Sequence, residues 1–319
     1  MEAPQLSLVV PVYNGAQTIA AVVEDIMKVF AAYDYEIILV NDGSRDDTER
    51  VCRELADRCA GRLIYLHLAR NFSEHNAVLA GLNQSRGAYV CVLDDDGQNP
   101  PAEALRLYRH AVAGGFDTVY GHYQVKRHHW FRNLGSRFND RVANIMLKKP
   151  PHLYLASFKV MNRFVVDEII RYRGAFPYID GLIFRTTQNI SQLAVEHKER
   201  QEGQSGYTLK KLLSLWMNMF LNFSIAPLRL AAILGLVTAI ATVPLMLLIV
   251  VDKIFNPNLT LGVPTILVVM TFFAGVQLLN IGLVGEYLGR LFLDHSGMPQ
   301  YVVRYAYSKA AEEKVYGKL

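Results

Sequence analysis

Several signatures are missing from these 319 residues, and each absence removes a class of function. Only three cysteines occur, Cys52, Cys59 and Cys91. They form neither a metal-ligand cluster nor a disulfide framework, and read as reduced thiols. No Gly-x-Gly-x-x-Gly follows the first strand-like run, and there is no Gly-Lys-Ser/Thr loop, so the dinucleotide and P-loop signatures are excluded. A serine-nucleophile elbow is missing as well. Charge is sparse: 19% of residues, 33 Lys and Arg against 29 Asp and Glu, for a net charge of +4. That surplus is too small to point to nucleic acid, although it suits a face turned toward anionic lipid or phosphate. Nor is a secretory leader expected, since Met1 to Gln5 is polar and Leu6 to Val12 is far too short an apolar run to cross a bilayer.

What the chain has in excess is apolar residues, 51% of the total, with a mean hydropathy of +0.15. Disorder is excluded. Two long runs near the C-terminus carry much of the excess. Leu230 to Val251 holds 22 residues without a charge, roughly 33 Å as a helix. After Lys253 the next charge is Glu286, and Gly262 to Val284 is again long enough to span. Pro244, Gly235 and Gly262 are tolerated in membrane helices. A pair of buried helices in a soluble core would rarely stay uncharged all round for so long. Two spans, at about 230–251 and 262–285, are therefore expected within a membrane region of 229–289. Arg290 to Leu319 carries Arg290, Arg304, Lys309, Lys314 and Lys318 against three acids. The positive-inside rule then places this tail, 290–319, and the N-terminal region in the cytosol. The protein is thus expected to be a multi-pass component of the inner (cytoplasmic) membrane. Between the two regions, 207–228 reads as an interfacial amphipathic segment, with Lys210-Lys211 at its start and an aromatic-rich end.

Residues 1–206 alternate strand and helix signals. Strands are expected at Leu6–Val10, Tyr35–Val40, Leu63–Leu66 and Ala88–Leu93, with helices at 16–31, 46–59 and 75–83. Strands so apolar on both faces predict an α/β fold with a mostly parallel central sheet. In such sheets ligands bind beyond the carboxyl ends of the strands, so the tips are the places to look. They read Pro11-Val12-Tyr13-Asn14-Gly15, Asn41-Asp42-Gly43-Ser44-Arg45-Asp46-Asp47-Thr48, Arg70-Asn71-Phe72, and Asp94-Asp95-Asp96-Gly97-Gln98-Asn99-Pro100-Pro101. Asp46 followed by Glu49 predicts a helix capping box, which leaves Asp42 to face the crevice. Three successive acids at the end of a buried strand repel one another unless a cation compensates. Carboxylate oxygens suit Mg2+ or Mn2+, which would also grip a diphosphate. His128-His129 has no partner at metal-ligand spacing and reads as a solvated basic face.

With these residues in view, the chain resembles the family 2 glycosyltransferases of GT-A fold, and more narrowly the polyisoprenyl-phosphate glycosyltransferases. That group includes the dolichol-phosphate mannose synthases and bacterial two-span enzymes that act on undecaprenyl phosphate. Leu8-Val9-Val10-Pro11-Val12-Tyr13-Asn14 is similar to the family's opening strand and loop, and Val40-Asn41-Asp42-Gly43-Ser44 to its nucleotide loop. Asp94-x-Asp96-x-Gln98 with Asn99-Pro100-Pro101 is similar to its metal motif, the most specific of the set. Ser157-Phe158-Lys159, His197, Arg200, Gly203-x-Ser205-x-Tyr207 and Pro227-Leu228-Arg229 follow the family pattern over the rest of the chain. Departures are His122 and Gln124 where relatives commonly carry an arginine after the glycine that Gly121 matches. Ser73 also stands for a common glycine, and Gly97 for a common leucine.

The resemblance implies a donor site at Pro11, Tyr13, Asn14, Asp42, Ser44, Asn71, Asp94 and Asp95, and a Mg2+ or Mn2+ ion on Asp94, Asp96 and Gln98. For the acceptor phosphate it implies Lys126, Arg127, Arg132, Ser157, Lys159, Arg200, Ser205 and Tyr207. Asp94, Asp96, Asp180, Arg127 and Arg132 are the candidate catalytic residues, with Asp180 read equally well as a loop-capping acid. The implied partners are a nucleotide sugar, a polyprenyl phosphate and further copies of the chain, up to a homotetramer. The implied reaction is one inverting displacement that needs no strong base, because a phosphate nucleophile is already anionic. A processive polysaccharide synthase would need more spans and often a Gln-x-x-Arg-Trp motif, which is lacking. A non-enzymatic scaffold would have no use for Asp94, Asp96 and Gln98 together.

Overall fold

A computed structural model describes residues 4–59, 61–123, 153, 155–196, 226–255 and 262–309. Alternating β-branched and apolar runs form strands whose two faces are both covered. In chain order the elements are β1 (Leu6–Val12), α1 (Ile19–Val29), β2 (Tyr35–Asn41), α2 (Thr48–Arg58), β3 (Leu63–Leu68), α3 (Glu74–Gln84), β4 (Tyr89–Val92) and α4 (Pro101–Gly114). There follow β5 (Thr118–Tyr123), β6 (Lys159–Asn162), α5 (Arg163–Ile170), α6 (Ile179–Thr186), β7 (Ile190–Val195), α7 (Ala226–Phe255), α8 (Val263–His295) and β8 (Val303–Tyr307). The chain divides into two compact units, Met1–Thr208 with Met298–Leu319, and Leu209–Gly297.

In the first unit the sheet order is β7-β5-β6-β4-β1-β2-β3-β8. Side chains alternate across it with the period of two that a strand imposes. Leu8, Val10, Ile37 and Leu39 pack with Val23 and Ile26 of α1, Leu55 of α2 and Leu107 of α4. Val9, Ile38 and Val40 face the other way, onto Leu79 and Leu82 of α3, Val165 of α5 and Ile183 of α6. A strand buried on both sides has no polar face, which is why these sequences read as continuous apolar runs.

The sheet is mixed, where a mostly parallel one was expected. β4, β1, β2 and β3 form a parallel block, and β5 pairs with β7 in parallel. β6 enters antiparallel between β4 and β5. An antiparallel insert begins where its neighbours end, so Lys159 at its start lies at the same edge as the acidic turn after β4. The tail strand β8 pairs antiparallel with β3 and stands last in the sheet order, so it forms an edge of its own sheet. The capping box does not form. Asp46 Oδ1 accepts from the Thr48 N–H at 3.2 Å, whereas Glu49 accepts from Tyr305 Oη of β8 at 2.5 Å.

Both charge-free runs of the second unit are helical, within α7 and α8. Among the described residues one segment, Phe272–His295, is long and apolar enough to cross a membrane. Two were expected, at 230–251 and 262–285. The segment found lies further along the chain than the second expected span, because α8 continues beyond residue 285 through Glu286 and Arg290 to His295. Large apolar side chains on both helices are exposed, among them Ile233, Ile240, Leu278 and Leu291. That is the surface membrane association calls for.

Candidate active site

Four strand tips converge at one end of the parallel block and are sewn together by hydrogen bonds. The Asn14 N–H donates to Ser44 Oγ at 2.9 Å, and the Arg45 N–H returns to Asn14 Oδ1 at 2.9 Å. Gly15 N–H donates to Thr48 Oγ1 at 3.0 Å, and Asp42 N–H to the Val12 carbonyl at 2.9 Å. The tip after β1 is thereby drawn out of helix, which is why α1 starts at Ile19 and not at Ala16.

Two glycines let these tips approach. Gly43 has φ +65°, and a Cβ there would lie 2.5 Å from the Arg70 carbonyl carbon and 2.6 Å from Asn71 N. A Cβ on Gly15 would stand 2.6 Å from Asp95 Oδ2. Asn14 and Ser73 are the two non-glycine residues with positive φ among those described, at 54° and 81°. Asparagine adopts that region readily, whereas Ser73 holds a glycine-like conformation at some cost. Where the resemblance set Ser73 in place of a glycine, the backbone has kept the glycine's shape.

Asp42 is buried, and its Oδ1 accepts from the Phe72 N–H at 2.7 Å. Burial pushes its carboxyl up to about 6, partly offset by the Phe72 and Ser73 N–H groups. The acidic turn is more crowded. Burial raises Asp94 above the carboxylate range and so does nearby Asp96, while the Ser157 and Asn99 side chains that bond to it pull the other way. Those bonds run from Ser157 Oγ at 2.8 Å and Asn99 Nδ2 at 2.7 Å, both to Asp94 Oδ2. Asp95 rises to about 7, chiefly through burial and then its acidic neighbours, although the Tyr13 N–H donates to it at 3.2 Å. Asp96 Oδ1 accepts from the Gln98 N–H at 3.0 Å, which closes the turn and leaves Gln98 half-buried beside it. Tyr13 is 48% exposed, an aromatic ring at the rim. Pro11 is half-buried at the end of β1, and Asn71 is exposed at the tip after β3. Among the described residues no group of three or more His, Cys, Asp or Glu side chains gathers into a metal-holding cluster.

Across the crevice lies a network that sequence reasoning reached only in part. Lys159 and Asp180 are buried and form an ion pair, and Tyr120 Oη donates to Asp180 Oδ1 at 2.9 Å. Asp180 belongs to the first turn of α6. His75 packs edge-on to Tyr178 with ring centroids 5.1 Å apart, and burial holds its imidazole down at about 4. Lys159 lowers Asp94 electrostatically and Ser157 bonds to it, so the two acids share one polar floor. Tyr120, His75 and Tyr178 were not singled out from the sequence. A tyrosine in an apolar run and a histidine opening a helix carry no local mark of a partner 60 or more residues away. Lys126, Arg127, Arg132, Arg200, Ser205 and Tyr207 lie outside the described residues.

Several known proteins are similar to this chain. The undecaprenyl-phosphate 4-deoxy-4-formamido-L-arabinose transferase of Proteus mirabilis (strain HI4320) is 32% identical over 304 residues, covering 94% of this chain and 93% of its own. The enzyme of that name from Serratia proteamaculans (strain 568) is 32% identical over 307 residues, with the same coverage. Among solved structures, glucosyl-3-phosphoglycerate synthase from Mycobacterium tuberculosis is 18% identical, with a TM-score of 0.48 over 63% of this chain and 72% of that one. S. aureus TarS 1-349 is 18% identical, with a TM-score of 0.48 over 69% of this chain and 68% of that one. The profile of glycosyl transferase family 2 matches residues 7–170, which take in every one of the four sewn strand tips. The chain belongs to glycosyl transferase family 2, and is a glycosyltransferase.

Proposed function

We propose that this glycosyltransferase moves a sugar from a nucleoside diphosphate sugar, UDP favoured, to the phosphate of undecaprenyl phosphate, with inversion at the anomeric carbon. The observation that carries the reading is the conjunction, in one chain, of an acid-lined crevice at the strand tips with long apolar helices. Likeness over 94% of its length to transferases named for an undecaprenyl-phosphate acceptor supports it.

In this reading Pro11, Tyr13 and Asp42 receive the base and ribose, with Asn14, Ser44, Asn71 and Asp95 shaping their loops. Family membership implies dependence on a divalent cation. The donor set fits one: hard carboxylate oxygens crowd on a single turn, and Asp94 and Asp95 are both held above their ordinary range. Mg2+ is usually held by one or two carboxylates and substrate phosphates, and so requires no cluster of three protein acids. Asp94, Asp96 and Gln98 would hold the ion. When bound, it would supply charge to offset the departing diphosphate.

The remaining work falls to the chain itself. The crevice fixes the donor in line with the acceptor, and orientation supplies much of the rate. Basic residues Lys126, Arg127, Arg132 and Arg200, with Ser205 and Tyr207, would grip the acceptor phosphate. Ser157 and Lys159, already bonded to Asp94 and Asp180, would form the floor between donor and acceptor. Asp180 would be the acid nearest the acceptor. The phosphate attacks as an anion, so no residue need act as a strong base.

The helices α7 and α8 would supply spans at about 230–251 and 262–285. Residues 1–206 and the tail would then lie in the cytosol, with 207–228 at the headgroups. Assembly of several copies, up to a tetramer, would use surfaces of this membrane-held form. A reporter fused at Leu319 should be accessible from the cytosolic side only, and labelling from outside would contradict the topology. The reaction itself is tested by incubating membranes that contain the protein with a panel of radiolabelled nucleotide sugars and undecaprenyl phosphate. One donor should give a lipid with the mass of polyprenyl phosphate plus one sugar; no lipid product from any donor would overturn the reading.

A further inference from the structure

The β8 strand returns from the far end of the chain to the outer edge of β3, and one of its side chains enters a continuous relay of polar contacts. Tyr305 stacks on His67 with ring centroids 5.0 Å apart and 6° between planes. His67 Nδ1 lies 2.9 Å from Tyr65 Oη. Tyr65 Oη in turn accepts from Asn41 Nδ2 at 2.9 Å. The other end of the same amide, Asn41 Oδ1, accepts from the Ser44 N–H at 2.9 Å, and Ser44 Oγ accepts from the Asn14 N–H at 2.9 Å. Asn41 and Tyr65 are fully buried and His67 nearly so.

Tyr65 accepts from the amide and lies within hydrogen-bond distance of His67 Nδ1, which in the neutral ring accepts or donates according to its tautomer. Burial favours that neutral form. The amide is then oriented with its oxygen toward the turn Asn41-Asp42-Gly43-Ser44, so the turn has one shape. At the outer end Tyr305 is pinned by its hydroxyl bond to Glu49 Oε1 at 2.5 Å, and Arg53 lies 5.6 Å from its ring centroid.

We propose that Tyr305, His67 and Tyr65 are positioning residues for the donor site: the tail strand, through this relay, holds the loop at 41–44 in the shape that binds the nucleotide diphosphate. The inference rests on the reading that this loop receives the donor. Among the described residues it touches neither the metal turn nor Ser157 and Lys159, so its loss should register in donor binding alone.

The test uses the full-length protein, with UDP in calorimetry and the polyprenyl phosphate transfer assay. Tyr65→Phe keeps the ring and removes the relay's central hydroxyl, leaving Asn41 Nδ2 without its closest acceptor. Tyr305→Ala removes the stack on His67. Each should weaken UDP binding about tenfold and raise donor KM in step, with kcat at saturating donor and acceptor KM unchanged. Tyr305→Phe preserves the stack and loses the bond to Glu49, so its UDP affinity should fall between wild type and Tyr305→Ala. Tyr307→Phe is the control on the same strand; it loses only its bond to Asp57 and should bind UDP normally. Should Tyr305→Ala fail to fold, Tyr65→Phe decides alone. Wild-type UDP affinity in Tyr65→Phe overturns the inference, as does a fall in kcat with equal changes in both KM values. If the wild-type protein itself binds no UDP, the donor reading falls and takes the inference with it.

Discussion

On one side of the crevice, the tips of β1, β2 and β3 are held by hydrogen bonds between backbone N–H groups and short polar side chains such as Asn14, Asp42 and Ser44. On the other side, β6 and α6 meet through a buried ion pair, Lys159 with Asp180, reinforced by Tyr120. The first arrangement sets the shape of loops that can still receive a ligand. The second commits two charges to each other below the surface, where breaking the pair is expensive. The difference follows from strand direction. Parallel strands bring only their carboxyl ends and turns to the crevice, whereas antiparallel β6 brings its first residues, and with them a lysine.

Substitutions should separate the two sides. The largest effect is expected from Lys159→Met, which leaves Asp180 buried with a hydroxyl but no counter-charge. Loss of one partner of a buried pair costs about 3–5 kcal/mol. Denaturant unfolding should show that loss, and Lys159→Met with Asp180→Leu should recover most of it. An unchanged midpoint in the single variant would mean the pair is not the anchor of this side.

Asp96→Asn keeps shape and removes charge. Transfer should fall about 100- to 1,000-fold, on the scale of a lost electrostatic stabiliser, with the circular dichroism spectrum unaltered. Gln98→Ala should do less harm and Asp95→Asn least, read as transfer rate over a metal titration. Replacing Lys126, Arg127 or Arg132 should weaken use of polyprenyl phosphate by about 10- to 150-fold, the worth of one charge-assisted contact. UDP affinity should be spared; an equal loss there would move these bases to the donor side.

The smallest effect concerns pH. The Asp42 carboxyl sits at about 6 in the fold against an ordinary 3.8. Folding therefore favours its protonated form, and the stability it contributes is present at low pH and lost as pH rises through about 6. Nucleotide-free wild-type protein should melt slightly lower at pH 7.5 than at pH 5 for this reason, and Asp42→Asn should lack that component. The same slope in both proteins would assign it to another group.

The parallel half of the crevice was legible because its elements are local. β1 to β4 each end in a turn written in Asn, Asp, Gly and Ser, and turn chemistry and apolar runs can be read within a dozen residues. The acidic turn at Asp94 to Gln98 stood out because like charges need a reason. The other half was legible only as separate residues, Ser157, Lys159 and Asp180, since its meaning lies in pairings across long stretches of chain. Nothing near Lys159 says that it begins an antiparallel strand between β4 and β5, or that Asp180 will meet it. Nothing near Tyr305 marks His67, more than 200 residues earlier, as its partner; only the fold lays the two together. Glu49 matched a capping pattern, yet the tail hydroxyl took its carboxylate.

The claim at the centre is that the sewn strand tips form one metal-dependent nucleotide site, and calorimetry of UDP binding to the full-length protein with and without Mg2+ or Mn2+ tests it most directly. Expected is a single saturable binding event that strengthens with the divalent ion in wild type and loses that dependence in Asp96→Asn. UDP binding that ignores the metal in wild type, or that keeps its full metal dependence in Asp96→Asn, would contradict it.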